Sequence, residues 1–174
     1  YTRTPEDRAH YELAKALLLE ASDLNPDADW PYLKLCSLTK LWTNSFNNEL
    51  LNFALAALTR KETLEAFIYA CRGAACNNTS LIALEKIKQL QVCCTNVDIA
   101  NIANIFIGGI QHERGDFAGY ERSIELFKAT KSPNFSPYIA IPVSTVITDT
   151  LLLAPAVEPT PPILLGKVLH HAEV

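Results

Sequence analysis

A chain of 174 residues in which 49% are apolar and 20% charged is long enough to bury a core and too apolar to be disordered as a whole. Its net charge is −4, and its Lys and Arg are scattered, with Arg60-Lys61 the longest purely basic run, so the footprint of a nucleic-acid or anionic-lipid binder is excluded. The most apolar window, residues 138–154, is broken by Pro142, Ser144, Thr145, Thr148, Asp149 and Thr150, and no membrane span is expected.

The chain opens at Tyr1 and contains no Met, as a processed chain or a piece of a longer one would, which leaves a removed leader open. Residues 4–24 predict one long helix with Thr4 as N-cap, Pro5 at the first helical position and Glu6 and Asp7 in the first turn. Tyr11, Ala14, Leu18 and Ala21 share one face, and Asn25-Pro26 stops the helix. A second helix restarts at Asp29-Trp30-Pro31 and runs through Leu35, Leu38 and Trp42 to about Thr43; the short connection makes the pair antiparallel. A third helix is expected from Asn44 to Leu58. Thr59-Arg60-Lys61-Glu62 has the spacing of a capping box and predicts the start of a fourth helix, ending near Arg72-Gly73. After the loop around Cys76, Ser80 opens a fifth helix with Leu81, Leu84, Ile87 and Leu90, ending near Cys93-Cys94.

Residues 96–131 predict a helix hairpin. Ile99, Ile102, Ala103, Phe106, Ile107 and Ile110 form the apolar stripe of a buried helix. Gly115 ends it, because a residue without Cβ enters the left-handed region freely. Asp116 caps the next helix, whose stripe is Phe117, Tyr120, Ile124 and Phe127. A further helix is expected over 136–153, with Pro142 near its start. Residues 154–162 hold four prolines in nine positions and predict an extended tether. Residues 163–174 are short and apolar and need something to dock on. The expected organisation is therefore a helical domain over 1–153, the tether, and the terminal segment.

In Tyr11, Ala14, Leu18, Ala21 and Pro26, followed by Tyr32, Leu35 and Cys36, the chain resembles the tetratricopeptide-repeat family, whose unit is a helix hairpin of about 34 residues. Gly108, Gly115 and Phe117 fall at that family's small-residue, turn and aromatic places. Tyr120, Asn104 and Gln111 depart from its pattern, Pro133 is one place late, and residues 44–95 carry no repeat signature. The resemblance implies an all-α solenoid of stacked antiparallel hairpins acting as a non-catalytic module for a protein or peptide partner. It places Ser37 and Lys40 from one unit, and Ile105, Gly109 and His112 from another, on a concave binding face. A second resemblance, carried by Cys71-x4-Cys76 and the Gly-Asp-aromatic turn, is to the C-terminal repeat region of bacterial O-antigen-ligase-like membrane glycosyltransferases. It implies a periplasmic appendage that positions an acceptor or a complex, with the chemistry in a membrane part outside this chain.

The five cysteines are Cys36, Cys71, Cys76, Cys93 and Cys94. Cys71, Cys76, Cys93 and Cys94 could supply four thiolates to a metal, but adjacent cysteines rarely reach one tetrahedral ion and the usual paired spacing is absent. Cys71 and Cys76 could form a disulfide if one ends a helix and the other lies in the following loop, which needs an oxidising compartment. All five could instead fill a core as small apolar groups. His112, beside Glu113, Arg114 and Asp116, invites a catalytic reading, yet a solvated helix end favours such residues without any chemistry, and no nucleophile is placed beside it. No cofactor, metal or catalytic set is expected. Asn77-Asn78-Thr79-Ser80 contains two overlapping glycosylation sequons and Asn134-Phe135-Ser136 a third; His170-His171 reads as a surface pair.

Overall fold

The computed structural model describes residues 2–130; the helix expected over 136–153, the tether, the terminal segment, the third sequon and His170-His171 lie outside them. Among the described residues there are eight helices and no strand: α1 (Pro5–Leu24), α2 (Trp30–Thr43), α3 (Asn48–Arg60), α4 (Leu64–Cys76), α5 (Ser80–Cys93), α6 (Val97–Asn101), α7 (Ala103–Glu113) and α8 (Phe117–Thr130). The domain is all-α.

Local signals fix many of the boundaries. At α1 the Thr4 hydroxyl accepts from the Asp7 amide while the Asp7 carboxylate accepts from the Thr4 amide, a reciprocal cap with Pro5 behind it. Gly115 turns with φ 79°, and the Asp116 carboxylate accepts from the Gly119 amide at 2.9 Å to start α8. Asp29 stands at the start of α2 but makes no side-chain cap bond. The third helix does not begin at Asn44; that residue is left-handed (φ 53°) and closes α2, and Asn47 caps α3 by accepting from Leu50.

The expected capping box over Thr59–Glu62 is not one. The Thr59 hydroxyl donates to Leu55 O inside α3, and Thr63 caps α4 by accepting from the Ala66 amide. Glu62 crosses to the α5–α6 loop, where its carboxylate accepts from the Thr95 amide at 2.8 Å, the Thr95 hydroxyl at 2.7 Å and the Asn96 amide at 3.0 Å. Burial alone would push the Glu62 carboxyl up, but these donors, with the Cys94 thiol, outweigh it and hold the carboxyl below its ordinary value.

Each helix packs on the next in sequence, and α2 also touches α4, as α4 touches α7. One apolar core runs from Cys36 in α2 to Phe127 in α8. The stripe expected over 99–110 is buried throughout, but its helix is interrupted at Ile102, where the ladder shortens to i→i+3 bonds from the Ile102 amide to Ile99 O and from the Ile105 amide to Ile102 O. Beside the break, buried Asn101 donates from Nδ2 to Phe127 O at 2.9 Å and accepts from the Thr130 hydroxyl at 2.7 Å, which ties α6 to α8.

Helix α7 is the central element, because Ala103, Ile105, Phe106, Ile107, Gly108, Gly109 and Ile110 are all buried. A fully buried large apolar side chain contributes about 1.5–3 kcal/mol, so α7 anchors the fold far more than α1, where among apolar residues Tyr11 alone is fully buried. Helix α1 is instead attached by directed contacts. The Arg60 guanidinium donates to Ser22 O, Asn25 O and Ala28 O at 3.0–3.1 Å, and Lys15 pairs with Glu49. Tyr11 also stacks on Trp42 with centroids 4.7 Å apart. In α5 and α8 the expected stripes hold at Ile87, Leu90, Ile124 and Phe127, whereas Leu81 and Phe117 are exposed.

The Cys71–Cys76 disulfide is not formed, and all five cysteines are free thiols. The reason is the length of α4, which continues past Gly73 and places both residues in one helix, five positions apart. Ideal helix geometry separates their Cα atoms by about 8.7 Å, beyond the roughly 7 Å a disulfide spans. Both thiols are buried as small apolar groups; burial pushes Cys71 well above its ordinary value and Cys76 to about 11.

Candidate functional site

Between the alternate helices α2 and α4 lies a cavity of about 370 Å³, lined by Lys40, Phe46, Glu65, Ile68, Tyr69 and Arg72. Its base is Phe46, from the loop after α2, which is 3% exposed and is held by Asn77, whose side-chain amide donates to Phe46 O at 2.6 Å. Two cations flank that ring: Lys40 Nζ lies 4.9 Å and the Arg72 guanidinium 5.3 Å from its centroid. The Ser37 and Tyr69 hydroxyls meet at 3.1 Å across α2 and α4. One carboxylate, Glu65, completes the lining. Beneath it, burial pushes the Cys36 thiol up to about 12, with Glu65 adding to the effect, so this cysteine is no nucleophile at neutral pH.

Of the residues expected on a binding face, Lys40 lines this groove, and Ser37 lies outside the lining but meets Tyr69, which belongs to it. Ile105 and Gly109 do not offer a surface: both are buried, Ile105 at 6% exposure within the core, because α7 is covered around its whole girth. His112 is exposed, but it packs edge-on against Phe117 and Tyr120 at 5.3 and 5.2 Å, and it is not part of the groove lining. Sequence reasoning missed Phe46, Glu65, Ile68, Tyr69 and Arg72. A usable signal existed in α4, since Glu65, Ile68, Tyr69 and Arg72 recur at i, i+3, i+4 and i+7 and therefore share one helix face. Phe46 carries no such signal, being placed by a loop.

The sequons at Asn77 and Asn78 are structural. Both asparagines are buried; Asn77 Nδ2 donates to Gly73 O as well as to Phe46 O, and Asn78 Nδ2 donates to Ala74 O at 2.7 Å while its carbonyl accepts from buried Lys86. The nitrogens that a glycan would need are committed to the end of α4.

A second cavity, of about 430 Å³, lies between α1 and α2 and is lined by Arg3, Asp7, His10, Tyr11, Leu38, Leu41 and Trp42. Two of its charged groups already serve the fold: Arg3 donates to Leu41 O and lies 4.3 Å over Trp42, and Asp7 caps α1. The groove between α2 and α4 thus carries more recognition chemistry. The chain matches no protein-family model, no curated protein and no solved structure.

Proposed function

We propose that this chain is a non-catalytic helical-repeat module of the tetratricopeptide kind, whose groove between α2 and α4 holds an extended peptide segment of a partner protein. The observation that carries the reading is the groove itself: two successive hairpins contribute hydroxyls and cations around the apolar base of Phe46. Concave sites with an apolar floor and a few placed polar groups hold ligands well, and aromatic-lined grooves are known to take peptide segments in extended form. The titratable groups here do not form the nucleophile, base and orienting partner that catalysis asks for. The appendage reading rests on the Cys71-x4-Cys76 spacing and the Gly-Asp-aromatic turn, and no observation favours it over the groove.

The test is selection of a random peptide library displayed on phage against the immobilised protein and against an Ile68→Trp variant that fills the cavity. The expected result is a peptide consensus with wild type that the variant loses. No consensus, or the same consensus with both proteins, overturns the reading.

A further inference from the structure

We propose that α1 is a self-association surface: two copies of this chain pair through antiparallel α1 helices, with Leu13 of each against Leu17 of the other and His10 of each beside Glu20 of the other. The proposal is independent of the groove between α2 and α4. Helix α1 turns Tyr11 and Ser22 inward, whereas Leu13, Leu17 and Leu24 stand 59%, 56% and 73% exposed. With exposed His10 and Glu20 these leucines recur at alternating steps of three and four residues, so all five lie on one stripe of the helix, turned away from its buried side. That spacing is the seam of a two-helix pair.

The order of residues along the stripe makes it complementary to itself. Turned antiparallel about a two-fold axis between Leu13 and Leu17, the stripe sets Leu13 on Leu17 of the second copy, exposed Ala9 on half-buried Ala21, and His10 on Glu20, and the symmetry repeats each pair. An imidazole N–H can donate to a carboxylate in either protonation state, and the protonated ring adds a charge opposite to that of Glu20. Leu24 falls at the rim, against Glu6 of the second copy, whose carboxylate stays in water. A parallel pairing would instead set Glu20 on Glu20 and His10 on His10, which opposes like charges. A lipid surface fits less well, because α1 carries more carboxylates than cations, whereas a helix lying on anionic lipid has a polar face rich in Lys and Arg.

A single helix pair lies at the small end of specific interfaces, below about 1,200 Å² of buried surface, so the dimer is expected to be weak, with a dissociation constant on the order of 10–100 μM. Sedimentation equilibrium of the intact chain at concentrations bracketing that range is the test, and a monomer–dimer equilibrium without larger species is the expected result. Leu17→Asp, checked as folded by circular dichroism, weakens association at least about tenfold, whereas Val92→Asp, at an 83% exposed position on α5, leaves it unchanged. Glu20→Lys weakens it about fivefold, and adding His10→Glu to that variant restores it to within about twofold of wild type, because the swapped charges meet again across the antiparallel pair. Monomer at every concentration overturns the proposal and assigns the stripe to a different protein. A dimer that Leu17→Asp spares or Val92→Asp abolishes, growth beyond the dimer, or a double variant no tighter than Glu20→Lys alone overturns it as well.

Discussion

The guanidinium of Arg60 lies 4.5 Å over the ring of Tyr32, and from that position its Nη1 donates to three carbonyls at the end of α1 and the turn into α2. One side chain from α3 thus reaches Ser22 O, one of the carbonyls that the C-terminus of α1 leaves without a helical donor, and ties it to Asn25 O and Ala28 O of the turn. Hydrogen bonds from a charged donor contribute about 1.5–3 kcal/mol, and these share one nitrogen at a partly solvated site. Arg60→Ala is therefore expected to destabilise the protein by about 2 kcal/mol. Arg60→Lys should recover less than half of that, because an ammonium lacks the planar fork and stacks poorly. Urea unfolding followed by circular dichroism measures both; an unchanged midpoint for Arg60→Ala would remove the clamp from this account.

Glu62 makes stability depend on pH in a defined direction. Its folded carboxyl titrates below its unfolded value of about 4.3, so its contribution is fully present above that pH and is lost as pH falls through the folded value. Wild type should be more stable than Glu62→Gln at neutral pH, and the gap should narrow below about pH 4.3. Thermal melts of both proteins across that range test it, and a gap that widens in acid would contradict the sign.

At Gly73 α4 comes close to Leu51 of α3. A Cβ there would stand 2.8 Å from Leu51 Cβ and 3.2 Å from Leu51 Cα, and backbone cannot move aside cheaply. Alanine gains about 1 kcal/mol in helix propensity over glycine, yet overpacking of this kind costs about 1–3 kcal/mol. Gly73→Ala should lower the melting temperature, although propensity alone predicts a rise.

The thiols provide a chemical check on α4. With burial holding Cys36 at about 12, Cys76 at about 11 and Cys94 at about 11, alkylation of these three thiols in the native protein at pH 8 should be slow, and that of fully buried Cys71 slowest. After denaturation without reductant, mass spectrometry should count five modified cysteines. A peptide linking Cys71 to Cys76 would show that α4 ends before Cys76.

Asn77 should matter to the groove as much as to α4. Asn77→Ala removes the side-chain donor to Phe46 O, while Gly73 O keeps the Asn77 backbone amide, and is expected to cost about 1–3 kcal/mol. It should also weaken peptide retention, because Phe46 forms the base of the cavity. Asn78→Ala, which touches Ala74 O and Lys86 and not Phe46, should destabilise while sparing retention by the folded fraction.

The sequence by itself determined the all-α class, the reciprocal cap at Thr4, the turn at Gly115 with its cap at Asp116, and the buried stripe from Ile99 to Ile110. These depend on residues three or four positions apart, where backbone geometry is set by near neighbours. Only the tertiary structure decided where Glu62 goes, since a carboxylate three residues after a threonine can turn back on its own helix or reach a loop 33 residues away. Tertiary packing likewise covered Ile105 and Gly109: one face of α7 is apolar in the pattern, but burial of the other depends on elements the pattern does not contain. The groove is a property of the same kind. Lys40, Phe46 and Arg72 meet because α2 and α4 pack side by side over a shared core, and no local spacing records that adjacency.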